Sequence, residues 1–342
     1  MRAVVFHEHG GPEVLKYEEV PDPEPGPGEV LVRVKATSVN HLDIWVRRGI
    51  PGLKLELPHI PGADAAGIIE EVGEQVEGLE PGRRVMINPN FSCGKCEYCL
   101  RGEDSLCVRY KILGEQVKGG YAELLKVPAK NAIPLPDHVS FEEAAAAPLV
   151  FMTAWRMLIT RAGLRPGEDI LILGAGGGVA TAAIQIAKLV GARVFAAAST
   201  EEKLKKAREL GADVLINYKE AEFDKEVRRL TEKRGVDVVF DCVGAETWLR
   251  SLRSLAKDGR LVTCGATTGP NPQTDIRYIF WNQLRIIGST MASTKELLDV
   301  LKLLWAGKLR PVIHEVMPLR EAAQAHKLLE QRKVFGKLVL VP

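Results

Sequence analysis

The chain has little cysteine and almost no net charge. Six cysteines in 342 residues are too few for a disulfide-stapled scaffold. A net charge of +2, with Lys and Arg interspersed with Glu along the whole length, gives no basic surface for following phosphates, so no nucleic-acid partner is expected. Long apolar runs are missing too. The opening Met1-Arg-Ala-Val-Val-Phe6 meets His7, Glu8 and His9 before a signal segment develops. The most apolar stretch, Asp169 to Ala198, is broken by a glycine cluster, Gln185 and Lys188, so no membrane span is expected. Internal repeats and low-complexity tracts are absent as well. These absences point to a cytoplasmic protein acting on small molecules.

Hydrophobic content of 46% with 26% charged residues is that of an ordinary globular protein, and the length predicts two domains rather than one core. The first half carries short β-rich runs at Ala3–Phe6, Glu29–Ala36, Gly67–Val72, Arg84–Ile87 and Tyr121–Val127, with glycine and proline at the corners. From Phe141 the texture changes. A helical pattern at Thr153–Ile159 leads into alternating apolar strands and amphipathic helices. The strands are expected at Ile170–Leu173, Arg193–Ala197, Val214–Ile216, Val236–Asp241, Arg260–Cys264 and Arg285–Ile287. Six strands with helices between them predict an α/β fold with a doubly wound parallel sheet, because parallel strands need crossovers. A helix at Thr294–Gly307 and a closing strand at Val334–Val341 follow; that strand is expected to rejoin the first domain. The boundaries read 1–149 with 289–342, and 150–288.

Four of the six cysteines, Cys93, Cys96, Cys99 and Cys107, stand in one segment, residues 92–108. Four thiolates close a tetrahedral zinc site and leave no position for substrate, so this zinc is structural and the chemistry lies elsewhere. Cys242 and Cys264 lie in apolar strand contexts and read as buried and unreactive.

The strand Ile170–Leu173 runs into Gly174-Ala-Gly176-Gly177-Gly178-Val179-Ala180 and then a helix. Such a loop lets the backbone approach a pyrophosphate, and the helix N-terminus offers unpaired N–H groups to it. A site for NAD(H) places an acid at the end of the second strand. Here the strand ends Phe195-Ala-Ala-Ala198 and continues as Ser199 and Thr200. Ser199, Lys203 and Tyr218 are the residues expected to hold a 2′-phosphate, which favours NADP(H) over NAD(H).

Taken together, the opening Arg2-Ala-Val-Val5, Gly10-Gly-Pro-Glu-Val-Leu15, the cysteine lobe, the glycine loop and the closing Phe335-Gly-Lys-Leu-Val-Leu340 resemble the medium-chain dehydrogenase/reductase superfamily from end to end. The resemblance implies a GroES-like catalytic domain and a Rossmann domain, and a homodimer or homotetramer that pairs through the sixth strand. It implies further cofactor contacts from Thr153, Val243, Gly265, Ala266 and Lys337. The family contains zinc alcohol dehydrogenases with a second, catalytic zinc, and zinc-free quinone or enone reductases. In the zinc branch the three ligands would fall at Asn40, Ala63 and Leu149, with a glutamate at Asp64 and a proton-relay hydroxyl at Leu42. No ligand type remains at the three positions, so the usual catalytic zinc cannot form. The resemblance then implies hydride transfer to a quinone or an α,β-unsaturated carbonyl. Asn40 and His41 are its candidate hydrogen-bond donors, and Asp43 their neighbour in the catalytic set. Two alternatives stay open: an alcohol or aldehyde dehydrogenase with an unusual metal site built from His41, His59, Asp43 or Asp64, and a nucleotide-binding protein without catalysis.

Overall fold

A computed structural model describes all residues 1–342. The chain forms two compact units, one of Met1–Leu149 with Ser293–Pro342, the other of Val150–Ala292. The second junction lies beyond Gly288 because Ser293 starts the next helix: its hydroxyl accepts from the Glu296 N–H, and its own N–H donates to the Glu296 carboxylate.

The first unit begins with strands β1 (Arg2–Val5), β2 (Lys16–Glu19), β3 (Glu29–Ser38), β4 (Asp64–Val72), β5 (Arg84–Ile87), β6 (Asn90–Phe91), β7 (Lys111–Ile112), β8 (Leu124–Pro128) and β9 (Ala132–Pro134). Helices α1 (His41–Arg48), α2 (Glu97–Leu100) and α3 (Phe141–Ala146) join them. After α4 (Pro148–Trp155), the second unit runs β10 (Asp169–Leu173), α5 (Gly178–Val190), β11 (Arg193–Ala198), α6 (Glu201–Glu209), β12 (Val214–Asn217) and α7 (Phe223–Leu230). It continues through β13 (Val236–Asp241), α8 (Trp248–Ser254), β14 (Leu255–Thr263), α9 (Ile276–Trp281) and β15 (Arg285–Gly288). The chain then returns to the first unit with α10 (Thr294–Trp305), β16 (Ile313–Pro318), α11 (Ala322–Glu330) and β17 (Lys337–Val341).

In the first unit, β3 is the hub. Val30, Val32 and Val34 alternate inward against Ile69, Val85, Leu125 and Val127, the period-two pattern of a strand with one buried face. The large sheet is ordered β16-β17-β3-β4-β5-β9, with β8 also paired to β3, so the last strand of the chain lies in its interior. No helix of the protein is long and apolar enough to cross a membrane.

In the second unit, six parallel strands follow the order β12-β11-β10-β13-β14-β15. Both faces are covered, which is why β10 reads as an unbroken apolar run. Leu171, Phe195, Ile216, Val239 and Leu261 share one core. The order reverses between β10 and β13, and a doubly wound sheet binds ligands at the carboxyl ends of its strands beside such a switch.

Among the elements outside the sequence expectation are β2, α1, β9, β16 and α11. The Thr153–Ile159 helix is also interrupted, since α4 ends at Trp155 and a π-helical stretch, Arg156–Arg161, follows.

Candidate functional site

The four cysteines of the lobe converge. Every sulfur of Cys93, Cys96, Cys99 and Cys107 lies within 4.8 Å of the others, with Cys93 to Cys99 at 4.0 Å and Cys96 to Cys99 at 3.5 Å. A tetrahedral zinc with bonds of about 2.3 Å separates its sulfurs by about 3.8 Å, so the donor set fits. The Cys93 and Arg109 N–H groups donate to the Cys107 sulfur at 3.2 and 3.3 Å. The lobe is fastened by Asp104, whose carboxylate accepts from the Thr294 N–H and hydroxyl at the start of α10.

The second unit presents the glycine loop between β10 and α5. Gly174 has φ +62, and a side chain on Gly177 would meet only the Gly174 carbonyl at 3.4 Å. The space beside the loop is thus free of protein. Gly176 is buried within the turn, while Gly177, Gly178 and Val179 are half-exposed at the N-terminus of α5. The first N–H groups of a helix have no partner within it, so the arrangement fits a pyrophosphate. At the end of β11, Ala198 is buried and Ser199 half-exposed, and the Tyr218 N–H donates to the Ala198 carbonyl at 3.1 Å. Ser199 and Tyr218 are therefore neighbours across paired strands. Lys203 stands in the first turn of α6. The nearby acids are engaged: the Asn217 amide donates to Glu201 at 3.1 Å and to Glu220 at 2.7 Å.

Beyond β13 and β14 lie Val243, Gly265 and Ala266, all solvent-accessible. Sequence reading missed the residue that shapes the turn at Val243. Asp241 is fully buried and accepts four hydrogen bonds, from the Val243 and Gly244 N–H groups and from the Thr247 and Ser251 hydroxyls. A buried acid that closes a strand is the signal that could have found it. Thr153 is buried, with its hydroxyl 3.9 Å from the Met291 sulfur.

In the first unit Asn40 and the Leu149 backbone, at two of the three ligand positions, are both hydrogen-bonded to Asp64. Asp64 is fully buried. One of its carboxylate oxygens accepts from the Leu149 N–H at 3.0 Å; the other accepts from the Ser38 hydroxyl and the Asn40 amide, each at 2.8 Å, and from Lys337 Nζ at 3.2 Å. Lys337 also donates to the Val39 and Asn40 oxygens. All three ammonium hydrogens are thereby used. Lys337, expected at the cofactor, has its ammonium group in this cluster, where it pairs with Asp64, because a buried carboxylate needs a partner. His59 lies apart, with its ring bonded to the Gly114 carbonyl. The cysteine lobe is the one group of three or more His, Cys, Asp or Glu residues gathered closely enough to hold a metal. The donor set of Asn40, Ala63 and Leu149 does not fit a catalytic zinc.

Asn40 caps α1, and its N–H donates to the Asp43 carboxylate at 2.8 Å. Its Nδ2 carries two hydrogens, of which one goes to Asp64. Asp43 is fully buried and touches no solvent. Desolvation raises its pKa to about 7, and its Oδ1 has no partner. Behind it runs a buried chain. Arg47 donates to His326 Nδ1 at 3.0 Å, which leaves the His326 proton on Nε2, facing the Tyr121 oxygen at 3.2 Å. The Tyr121 hydroxyl then donates to Asp43 at 3.2 Å. Burial, followed by the Arg47 charge, lowers the His326 pKa to about 3, so the ring is neutral. His41 opens α1 with its side chain reachable by solvent. Desolvation by the surrounding protein, followed by the Lys337 and Arg332 charges, lowers its pKa to about 4.

Comparison with known proteins agrees with this anatomy. The family described as "Zinc-binding dehydrogenase" matches residues 178–306, and "Alcohol dehydrogenase GroES-like domain" matches residues 26–137. The chain is 36% identical to an "NAD-dependent alcohol dehydrogenase" of Sulfurisphaera tokodaii over 351 residues, with 100% of each chain covered. It is 33% identical to an "Acryloyl-coenzyme A reductase" of the same organism, again with 100% of each covered. A solved structure described as "Crystal Structure of NAD-dependent alcohol dehydrogenase" has 52% identity and a TM-score of 0.96, with 100% of each chain covered. The chain therefore belongs to the medium-chain dehydrogenase/reductase superfamily, among its zinc-type alcohol dehydrogenase relatives, and is an oxidoreductase.

Proposed function

We propose that the protein is an NADP(H)-dependent reductase of quinones or α,β-unsaturated carbonyl compounds that works without a catalytic metal. The observation that supports this reading is that the three ligand positions carry the Asn40 amide, the Ala63 methyl and the Leu149 side chain, and that the Asn40 amide is held beside them by Asp64 and Lys337. Alcohol oxidation without a Lewis acid loses charge stabilisation at the alkoxide. Conjugate reduction depends on it less, because the developing charge spreads to an enolate or hydroquinone oxygen that N–H donors can hold. The bound dinucleotide supplies the hydride.

The residues then have distinct tasks. Gly174 to Val179 and the start of α5 hold the pyrophosphate, and Ser199, Lys203 and Tyr218 hold the 2′-phosphate. Val243, Gly265 and Ala266 border the nucleotide at the strand ends. The second Nδ2 hydrogen of Asn40 is left for a substrate oxygen, and neutral His41 is the other donor. Asp43 and Lys337 fix the Asn40 backbone and side chain, so the donor is preorganised. The full-length likeness to an acryloyl-coenzyme A reductase supports a conjugated double bond as the target.

A second reading, alcohol or aldehyde oxidation, is favoured by the names of other relatives. Zinc content and activity on one sample separate the two. About one zinc per chain, with NADPH oxidised by enones or quinones whether or not a chelator is present, supports the first. About two zincs per chain, with alcohol oxidation lost on chelation and restored by zinc, establishes the second.

The sheet edge supports a reading of the assembly. β15 has one unpaired side, Ile286 on it is exposed, and Phe280 and Trp281 of the preceding helix stand in solvent. We propose that two copies pair through this edge; a monomeric mass by light scattering at micromolar concentration excludes it.

A further inference from the structure

Two cysteines that read as buried and inert in the sequence face each other in the fold. Asp241 and Thr263 are register partners at the ends of β13 and β14, and the next residue on each strand is a cysteine. The Cys242 and Cys264 sulfurs lie 3.4 Å apart, and both residues are half-buried. A disulfide needs its sulfurs about 2.05 Å apart, so a closure of about 1.4 Å separates the dithiol from a cystine.

The surroundings give that closure a consequence. Cys242 precedes Val243 and Cys264 precedes Gly265, residues assigned above to the border of the nucleotide. The two turns are already knitted together: Thr267 Oγ1 donates to the Cys242 carbonyl at 2.9 Å, and the Thr268 N–H and hydroxyl both donate to the Val243 carbonyl at 2.8 Å. Gly244 has φ +94, and a Cβ there would lie 2.8 Å from the Ala266 backbone. With no slack between the turns, drawing the sulfurs together shifts both.

We propose that Cys242 and Cys264 form a redox-sensitive pair that a peroxide converts to a disulfide, and that the disulfide weakens nucleotide binding to this unit. In the first step the Cys264 sulfur attacks peroxide, the O–O bond breaks, and Cys264 sulfenic acid and water form. In the second, the Cys242 sulfur attacks the sulfenic sulfur, the S–OH bond breaks, and a second water leaves. Two thiols lose two electrons and two protons, and one hydrogen peroxide becomes two waters. The Cys264 sulfur, followed by burial, holds the Cys242 thiol protonated, which leaves the first attack to Cys264. The effect on nucleotide affinity rests on the reading of Val243 and Gly265 as cofactor contacts; disulfide formation does not.

The test treats the zinc-loaded full chain with hydrogen peroxide, blocks free thiols by alkylation and maps the digested peptides by mass. The expected result is a peptide pair joined through Cys242 and Cys264, two hydrogens lighter than the reduced pair. Cys242→Ser is expected to leave sulfenic acid on Cys264, trapped by dimedone. NADPH affinity, read by fluorescence, is expected to fall about tenfold on oxidation and to return with a thiol reductant, while Cys242→Ser keeps its affinity under peroxide. Recovery of both cysteines as alkylated thiols after peroxide overturns the pair. A mapped disulfide with unchanged NADPH affinity overturns the switch, and with it the placement of Val243 and Gly265 at the nucleotide if the untreated protein binds normally.

Discussion

Lys337 and Asp64 form an ion pair that solvent does not reach, with Nζ 3.2 Å from Oδ2 and side-chain exposures of 3% and 0%. Removing one partner strands the other. Lys337→Met is expected to destabilise the first unit by about 3–5 kcal/mol, seen as a fall in its melting temperature. Asp64→Asn combined with Lys337→Met is expected to recover part of the loss. If the double variant is as unstable as the sum of the two single variants, the pair is not coupled.

Asp43 makes stability depend on pH. Its folded pKa, about 7, lies above the ordinary 3.8, so the folded state holds the proton more tightly. The resulting stabilisation is complete below about pH 4 and is lost as pH rises through 7. His326 and His41, with pKa values lowered to about 3 and about 4, act in the opposite sense, because stability falls as pH drops below 6.5. Both histidines remain in Asp43→Asn, so the difference between the two proteins isolates the carboxyl. Wild type is expected to lose melting temperature relative to Asp43→Asn between pH 4 and 8, and parallel curves would refute the assignment.

Metal removal is expected to act locally. Cys96→Ser, or strong chelation, withdraws zinc binding that contributes about 10–16 kcal/mol to ordering such a segment. Proteolysis is expected to appear within residues 93–108, while the Val150–Ala292 unit still quenches NADPH fluorescence. Unchanged zinc content in Cys96→Ser rules the site out.

Asp241 is expected to matter both for nucleotide binding and for the stability of its own unit. In Asp241→Ala, two N–H groups and two hydroxyls lose their acceptor, at about 1–3 kcal/mol for each donor left buried. NADPH dissociation constants are expected to rise tenfold or more, with Asp241→Asn intermediate. Equal affinity in wild type and Asp241→Ala would show that the Val243 turn does not hold nucleotide.

The proposed preference for NADPH has its own test. Lys203→Ala with Tyr218→Phe is expected to raise KM for NADPH about tenfold, with little change for NADH. A wild-type protein with the lower KM for NADH reverses the cofactor assignment.

Much of this was legible from local pattern. Strand β13 is found at the residues expected from its apolar run, and the other five parallel strands overlap theirs, since strands buried on both faces carry a strong signal. The cysteine spacing announced its own cluster. What the sequence hid was long-range partnership. Lys337 is one lysine among many until β17 pairs with β3 and brings it to Asp64. Cys242 and Cys264 are far apart in the chain and become neighbours only through the register of two parallel strands. Helix α1 was missed because its residues, His-Leu-Asp-Ile-Trp-Val-Arg-Arg, form one short stretch whose stability comes from the Asn40–Asp43 cap and from burial of Ile44 and Val46.

The interior place of β17 bears on the order in which the molecule can be made. During synthesis, β3 and its partners β4 and β8 leave the ribosome early, and the whole Val150–Ala292 sheet follows. The first unit's sheet cannot close until residues 337–341 arrive to sit between β16 and β3. Throughout that interval the Thr37–Ser38 end of β3 lacks the strand that pairs it, and Asp64 has no counter-ion. The nucleotide-binding unit is thus the natural first fold of the nascent chain. Its partner is completed last, by the segment that both fills the sheet and delivers the balancing charge.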